Sequence, residues 1–200
     1  LIEGGRLNKH GQGVFDFSNP VTQEEYLKPL FHKLFSNEAG CYDVDGVKTD
    51  FLSDKVHPEM RLYDPSWRGE ERYFYKMFEL FTKEMKRYKE DAVHIGCAGH
   101  PYLAQFIDIN RTYDVWSTNV MEHVNRGRML EGCSPGTPVT YDFHHFTENL
   151  EVYFQMAYEH DCSVQIGNVM GIKENPVSGW KKVDDNYYDI LRLHLSKLPR

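Results

Sequence analysis

Strand-like and helix-like runs alternate along this chain about six times without a clear hairpin signal, and that order most restricts the folds open to it. The strand-like runs are "GVFDFSNP" (13–20), "DGVKTDF" (45–51), "AVHIGCAG" (92–99), "YDVWST" (113–118), "TPVTYDFHHF" (137–146) and "CSVQIGNVMG" (162–171). Between them, helical spacing is expected over 22–37, 69–89, 119–132 and 147–160, with a last helix in "DNYYDILRLHLSKL". In 22–37 the expected inner face is Tyr26, Leu27, Leu30, Leu34 and Phe35, with Pro29 kinking the helix or lying in its first turns. In 69–89 it is Tyr73, Met77, Leu80, Phe81, Met85 and Tyr88. Residues 100–112 read as a loop or short helix, and 52–69 as a long loop of the kind that often carries function.

Parallel strands joined by crossover helices leave a doubly wound sheet or a (β/α) barrel. No GxGxxG or GxxxxGK[ST] turn follows any strand, which weakens a nucleotide-binding reading. A formal charge of −7 argues against a nucleic-acid partner, because phosphate binding needs a clustered basic surface. Lys83, Lys86, Arg87 and Lys89 alternate with Glu84 and Glu90 and are expected on a solvated helix face. The four cysteines include no CxxC pair, so they are expected as mostly buried thiols, and no apolar run approaches the roughly 20 residues of a membrane span.

In a barrel the chemistry gathers at the carboxyl ends of the strands. Asp16, Asp50, Cys97, Asp114 or Asn119, Asp142 and Asn168 all lie at or near such ends. One strand-end Asp is ordinarily a helix cap or a loop residue. A ring of them, interleaved with Lys48, His100 and Arg111, suits a polyhydroxylated, uncharged ligand, since one carboxylate can accept from two hydroxyls. Two carboxylates facing one glycosidic oxygen would also supply a nucleophile and a general acid.

"FDFSNP" followed by "DGVKTDF" resembles the third and fourth strands of the retaining α-glycosidase (β/α)8 barrels, a superfamily that includes the α-galactosidases and the α-glucosidase/α-xylosidase group. There an aspartate and a Ser/Thr-Asn-Pro turn precede a helix, and the next strand, Asp-Gly-x-Lys-x-Asp, ends in the nucleophile. The resemblance implies Asp50 as nucleophile and Lys48 and Asp16 as sugar contacts. "IGCAGHPYLAQFIDINRTYDVW" is similar to the fifth and sixth strand region. There Gly96, Cys97, Asp108, Arg111 and Asp114 match, which makes Asp114 the acid/base. In the α-galactosidase form of the pattern, Trp116-Ser117-Thr118-Asn119 overlays Trp-Thr-Ser-Asp, whose aspartate is the acid/base, and this chain has Asn119 there. Asp114 is preferred because Asp108, Arg111 and Asp114 match together.

The expectation is therefore an α/β fold of TIM-barrel type, residues 1–200 forming one partial barrel that lacks the first two strand-helix units. Its substrate would be an oligosaccharide or glycoside, α-galactoside favoured, cleaved with retention of configuration. Arg111 and His100 would orient sugar hydroxyls, Trp67 would stack on a sugar face, and Cys97, Asn119 and Asp142 would line the site. No cofactor, metal, nucleic acid or membrane is expected. Association with another copy, or with the missing part of the barrel, is expected from exposed strand edges. Two other readings stand beside this one. A non-catalytic carbohydrate-binding or scaffold fragment is favoured by the expected lack of two strands and by Asn119. A metal-dependent barrel hydrolase is prompted by Asp142, His144 and His145 in "YDFHHF", though alternation sends the two histidines to opposite faces.

Overall fold

The structure, a computed structural model, describes residues 15–50, 61–97, 100–113, 119, 121–141, 150–159, 189, 192–193 and 196–197. The fold is α/β, with the parallel strand pairs β1–β2 and β3–β4 and helices between strands. By its contacts the chain divides into two units, 1–109 and 110–200.

In the first unit a helical segment opens as α1 (Pro20–Thr22), widens into a π turn (Gln23–Leu27) and closes as α2 (Lys28–Phe35). Pro29 explains the π turn: the ring has no N–H to donate and would crowd the carbonyl four residues back, so the preceding turn takes an extra residue. That residue also rotates the helix face. Leu27, Phe31 and Phe35 are buried, whereas Tyr26 and Leu30, expected inside, are exposed.

β1 (Gly46–Thr49) and β2 (Val93–Gly96) pair in parallel, from Gly46 opposite Val93 to Thr49 opposite Gly96. The ladder continues at both ends, through Val93 N–H to Asp45 O at 2.9 Å and Cys97 N–H to Thr49 O at 3.1 Å. The strands approach so closely at Gly46 that a Cβ there would overlap the Val93 carbonyl, so the position requires glycine. α3 (Glu70–Lys86) makes the crossover, preceded by a 3-10 turn, Pro65–Trp67, that Asp64 caps.

Tyr73, Phe74, Met77 and Phe78 of α3 form one core with Leu103 and Ile107. Met85 joins Leu27, Phe31, Phe35 and Ala92 in a second. Phe17 and Phe81 pack against both, edge to face at 5.2 Å. Burying each such ring is worth roughly 1.5–3 kcal/mol. After β2 a 3-10 segment, Pro101–Phe106, returns along α3.

One expected strand is placed differently. Residues 15–19 form a turn, because the Asp16 carboxylate accepts the Ser18 N–H (2.9 Å) and hydroxyl (2.6 Å) and bends the chain. Of the strand expected at 113–118 only Tyr113 is described, the rest lying outside the described residues, and the stretch 100–112, expected as a loop or short helix, carries β3 at Ile109–Arg111. The expected strand at 162–171 also lies outside the described residues.

In the second unit β3 pairs in parallel with β4 (Val139–Thr140), Asn110 opposite Val139 and Arg111 opposite Thr140. α4 (Met121–Cys133) connects them and α5 (Leu150–Glu159) follows. His123, Tyr141 and Tyr153 meet here, with ring centroids 4.7–6.1 Å apart. A Cβ on Gly127 would lie 2.8 Å from the Tyr141 ring, so glycine lets that ring rest against α4. Among the described residues no helix is long and apolar enough to cross a membrane.

Candidate functional site

The two faces of the β1–β2 pair differ in chemistry. Val47 and His94 are register partners and therefore share a face. The His94 ring stacks on Phe78 of α3 at 5.1 Å, and its Nε2 lies 3.1 Å from the Thr49 hydroxyl, so this face is the one packed on α3. Alternation sends Lys48 and Asp50 to the opposite face. There Lys48 Nζ lies 2.6 Å from the Asp50 carboxylate, with the two side chains 32% and 27% exposed. Carrying the register one residue beyond Thr49–Gly96 brings Cys97, a buried cysteine, alongside Asp50.

Lys48, Asp50 and Cys97 thus gather at the carboxyl edge of two parallel strands, on the face turned away from the helix. The geometry can hold a carboxylate next to a cation at a half-open edge. As an ion pair with this exposure it adds at most about 1 kcal/mol to stability.

Asp16 and Trp67 are committed elsewhere. The buried Asp16 carboxylate accepts the Tyr63 N–H at 2.7 Å besides its two bonds from Ser18, and Ser18 Oγ in turn accepts the Asp64 N–H at 3.0 Å. These bonds tie 63–64 to the turn at 15–19. Trp67 packs edge-on against Tyr73 at 5.8 Å within the first core. The Tyr73 hydroxyl donates to Phe15 O at 2.7 Å and accepts the Phe17 N–H at 3.1 Å, and burial pushes its pKa far above the ordinary phenol value.

His100 is exposed at the start of Pro101–Phe106, its ring 3.9 Å from that of Tyr102. Arg111 is fully buried at the end of β3, in the second unit. Asn119 caps α4: its Oδ1 accepts the Met121 N–H at 3.1 Å and its carbonyl the Glu122 N–H at 3.0 Å. Asp114 and Asp142, with His144 and His145, lie outside the described residues. Among the described residues no three His, Cys, Asp or Glu side chains are grouped to hold a metal ion.

Sequence reasoning missed His94. Its Nδ1–H donates to Phe106 O at 2.9 Å and its Nε2 accepts from Thr49, so the ring joins β1, β2 and the 3-10 segment. The available signal was weak, a histidine alternating with Val93 and Ile95 in an apolar strand. No family model matches the chain, and neither does any curated protein or solved structure.

Proposed function

We propose that the chain is part of a retaining α-glycosidase barrel in which Asp50 is the nucleophile and Asp114 the acid/base, with an α-galactoside as the favoured substrate. The observation that carries this reading is the Lys48–Asp50 pair. It lies at the carboxyl end of a parallel strand on the sheet face opposite α3, the face that lines the interior when such a sheet closes into a barrel with its helices outside. Cys97 beside Asp50 fits the same edge.

In the first step an Asp50 oxygen bonds to the anomeric carbon as the bond to the departing oxygen breaks, and Asp114 gives that oxygen its proton. Asp114 then takes a proton from water, whose oxygen replaces Asp50 at the anomeric carbon. Retention requires the two carboxyl groups about 5–5.5 Å apart. Lys48 positions Asp50.

Chemical rescue tests the reading. Asp50→Ala should lose hydrolysis of an activated aryl α-galactoside, and added azide should restore aglycone release with formation of the β-glycosyl azide. Unchanged hydrolysis in Asp50→Ala would overturn Asp50 as nucleophile. Asn119 supports a second reading, sugar binding without cleavage, since it caps α4 at the position where the α-galactosidase pattern has its acid. Under that reading a galactoside binds the wild-type chain and is never cleaved.

A further inference from the structure

Arg72 and Lys76 lie one turn apart on α3, so both cations project from one helix face, a spacing at which like charges cost helix stability. Lys76 is partly compensated by Glu79, Nζ to Oε2 3.0 Å. Arg72 makes no ion pair among the described residues, and its guanidinium has one long contact, 3.4 Å to Ser66 O. Beside these cations runs a groove of about 500 Å³ lined by Ser66, Glu71, Arg72, Tyr75, Lys76 and Tyr102.

Its aromatic walls are fixed. The Tyr102 hydroxyl donates to Glu71 O at 3.1 Å, and burial, followed by the charges of Glu71 and Glu70, pushes its pKa up to about 12, so the phenol stays neutral. Tyr75 meets Phe106 edge to face at 4.9 Å, and the Tyr75 and Tyr102 rings are 6.1 Å apart at 47°. A solvated helix face needs no such walls. Two held rings, an arginine fork with open donors and a volume suited to a small molecule make a binding surface.

We propose that this groove binds an acidic sugar, a uronic-acid residue of a glycan. Arg72 forks onto the ring carboxylate, Lys76 adds charge, Tyr75 and Tyr102 pack against the apolar faces of the ring, and Glu71 accepts from its hydroxyls. The choice of a sugar rests on the glycosidase reading above. The groove lies outside the Lys48–Asp50 edge and can be tested independently of it.

The test is calorimetric titration of the full chain with α-linked digalacturonate, neutral β-linked digalactose, which an α-glycosidase does not cleave, and inorganic phosphate. Digalacturonate should bind at least ten-fold more tightly than digalactose, and phosphate should not displace it at equal concentration. Arg72→Ala should lower digalacturonate affinity at least ten-fold and leave digalactose binding little changed, whereas Tyr102→Ala should weaken both. Asp50→Asn should bind digalacturonate as the wild type does. Equal affinity for acidic and neutral sugars, displacement by phosphate, or full binding by folded Arg72→Ala would each overturn the groove assignment. So would loss of binding in Asp50→Asn, which would move the ligand to the sheet edge. Covalent labelling of Asp50 is scored separately: labelling without uronate binding overturns this inference alone, and uronate binding without labelling overturns the assignment of Asp50 alone.

Discussion

The His94 imidazole lies nearly parallel to the Phe78 ring, 5.1 Å away at an interplanar angle of 17°, with Thr49, Thr82 and the Phe106 carbonyl around its edge. Burial lowers its pKa, against smaller opposing effects of the Phe106 carbonyl and Asp108 and a small lowering by Lys86. A folded value below the ordinary 6.5 means that the unfolded chain binds the extra proton first. The stability contributed by neutral His94 is therefore complete above about pH 6.5 and is lost as pH falls from there through the lowered folded value. Urea midpoints measured from pH 7.5 to 5 should fall with acidity, and His94→Gln should be less stable but flatter in pH. His94→Ala should cost about 2–4 kcal/mol, since it leaves a cavity and strips partners from Thr49 and Phe106.

Asp16 should prove a structural carboxylate. It accepts three hydrogen bonds, one of them from Tyr63, 47 residues away. Asp16→Ala should destabilise the chain by about 2–3 kcal/mol in urea. Asp16→Asn should recover part of that loss, because the amide oxygen can accept on one side while its NH₂ opposes a donor on the other. A stability unchanged in Asp16→Ala would show that the clamp contributes nothing.

At Asn119 the cap dictates the outcome. Asn119→Ala should cost about 1 kcal/mol, and Asn119→Asp should remain within about 0.5 kcal/mol of wild type, because both residues accept the Met121 N–H. Since Asp114 is the proposed acid/base, Asn119→Asp should hydrolyse aryl α-galactosides no faster than wild type, and a large gain would move the acid/base role to position 119.

Local periodicity made α3 and β2 readable, since Tyr73, Met77 and Met85 recur at helical spacing and fall in the core. The ion pair was readable too, because Lys48 and Asp50 are two apart in a strand and must share a face. The helix face before Pro29 was not: a π turn shifts the phase by one residue, and only the steric demand of proline hints at it. "FDFSN" alternates like a strand, yet Asp16 is buried and spends its oxygens on Ser18 and Tyr63, a long-range bond that no local pattern encodes. Trp67, expected to stack on a sugar face or to anchor its loop, packs edge-on against Tyr73, which Phe15 and Phe17 hold in place.

The central claim is that the carboxylate beside Lys48 attacks an anomeric carbon. Its most direct test is intact-mass analysis after incubation with an α-galacto-configured cyclitol epoxide, followed by peptide mapping of the adduct. One added probe mass, mapped to Asp50 and absent in Asp50→Asn, is the predicted result. A folded wild-type chain that stays unlabelled, or one labelled at another carboxylate, would contradict it.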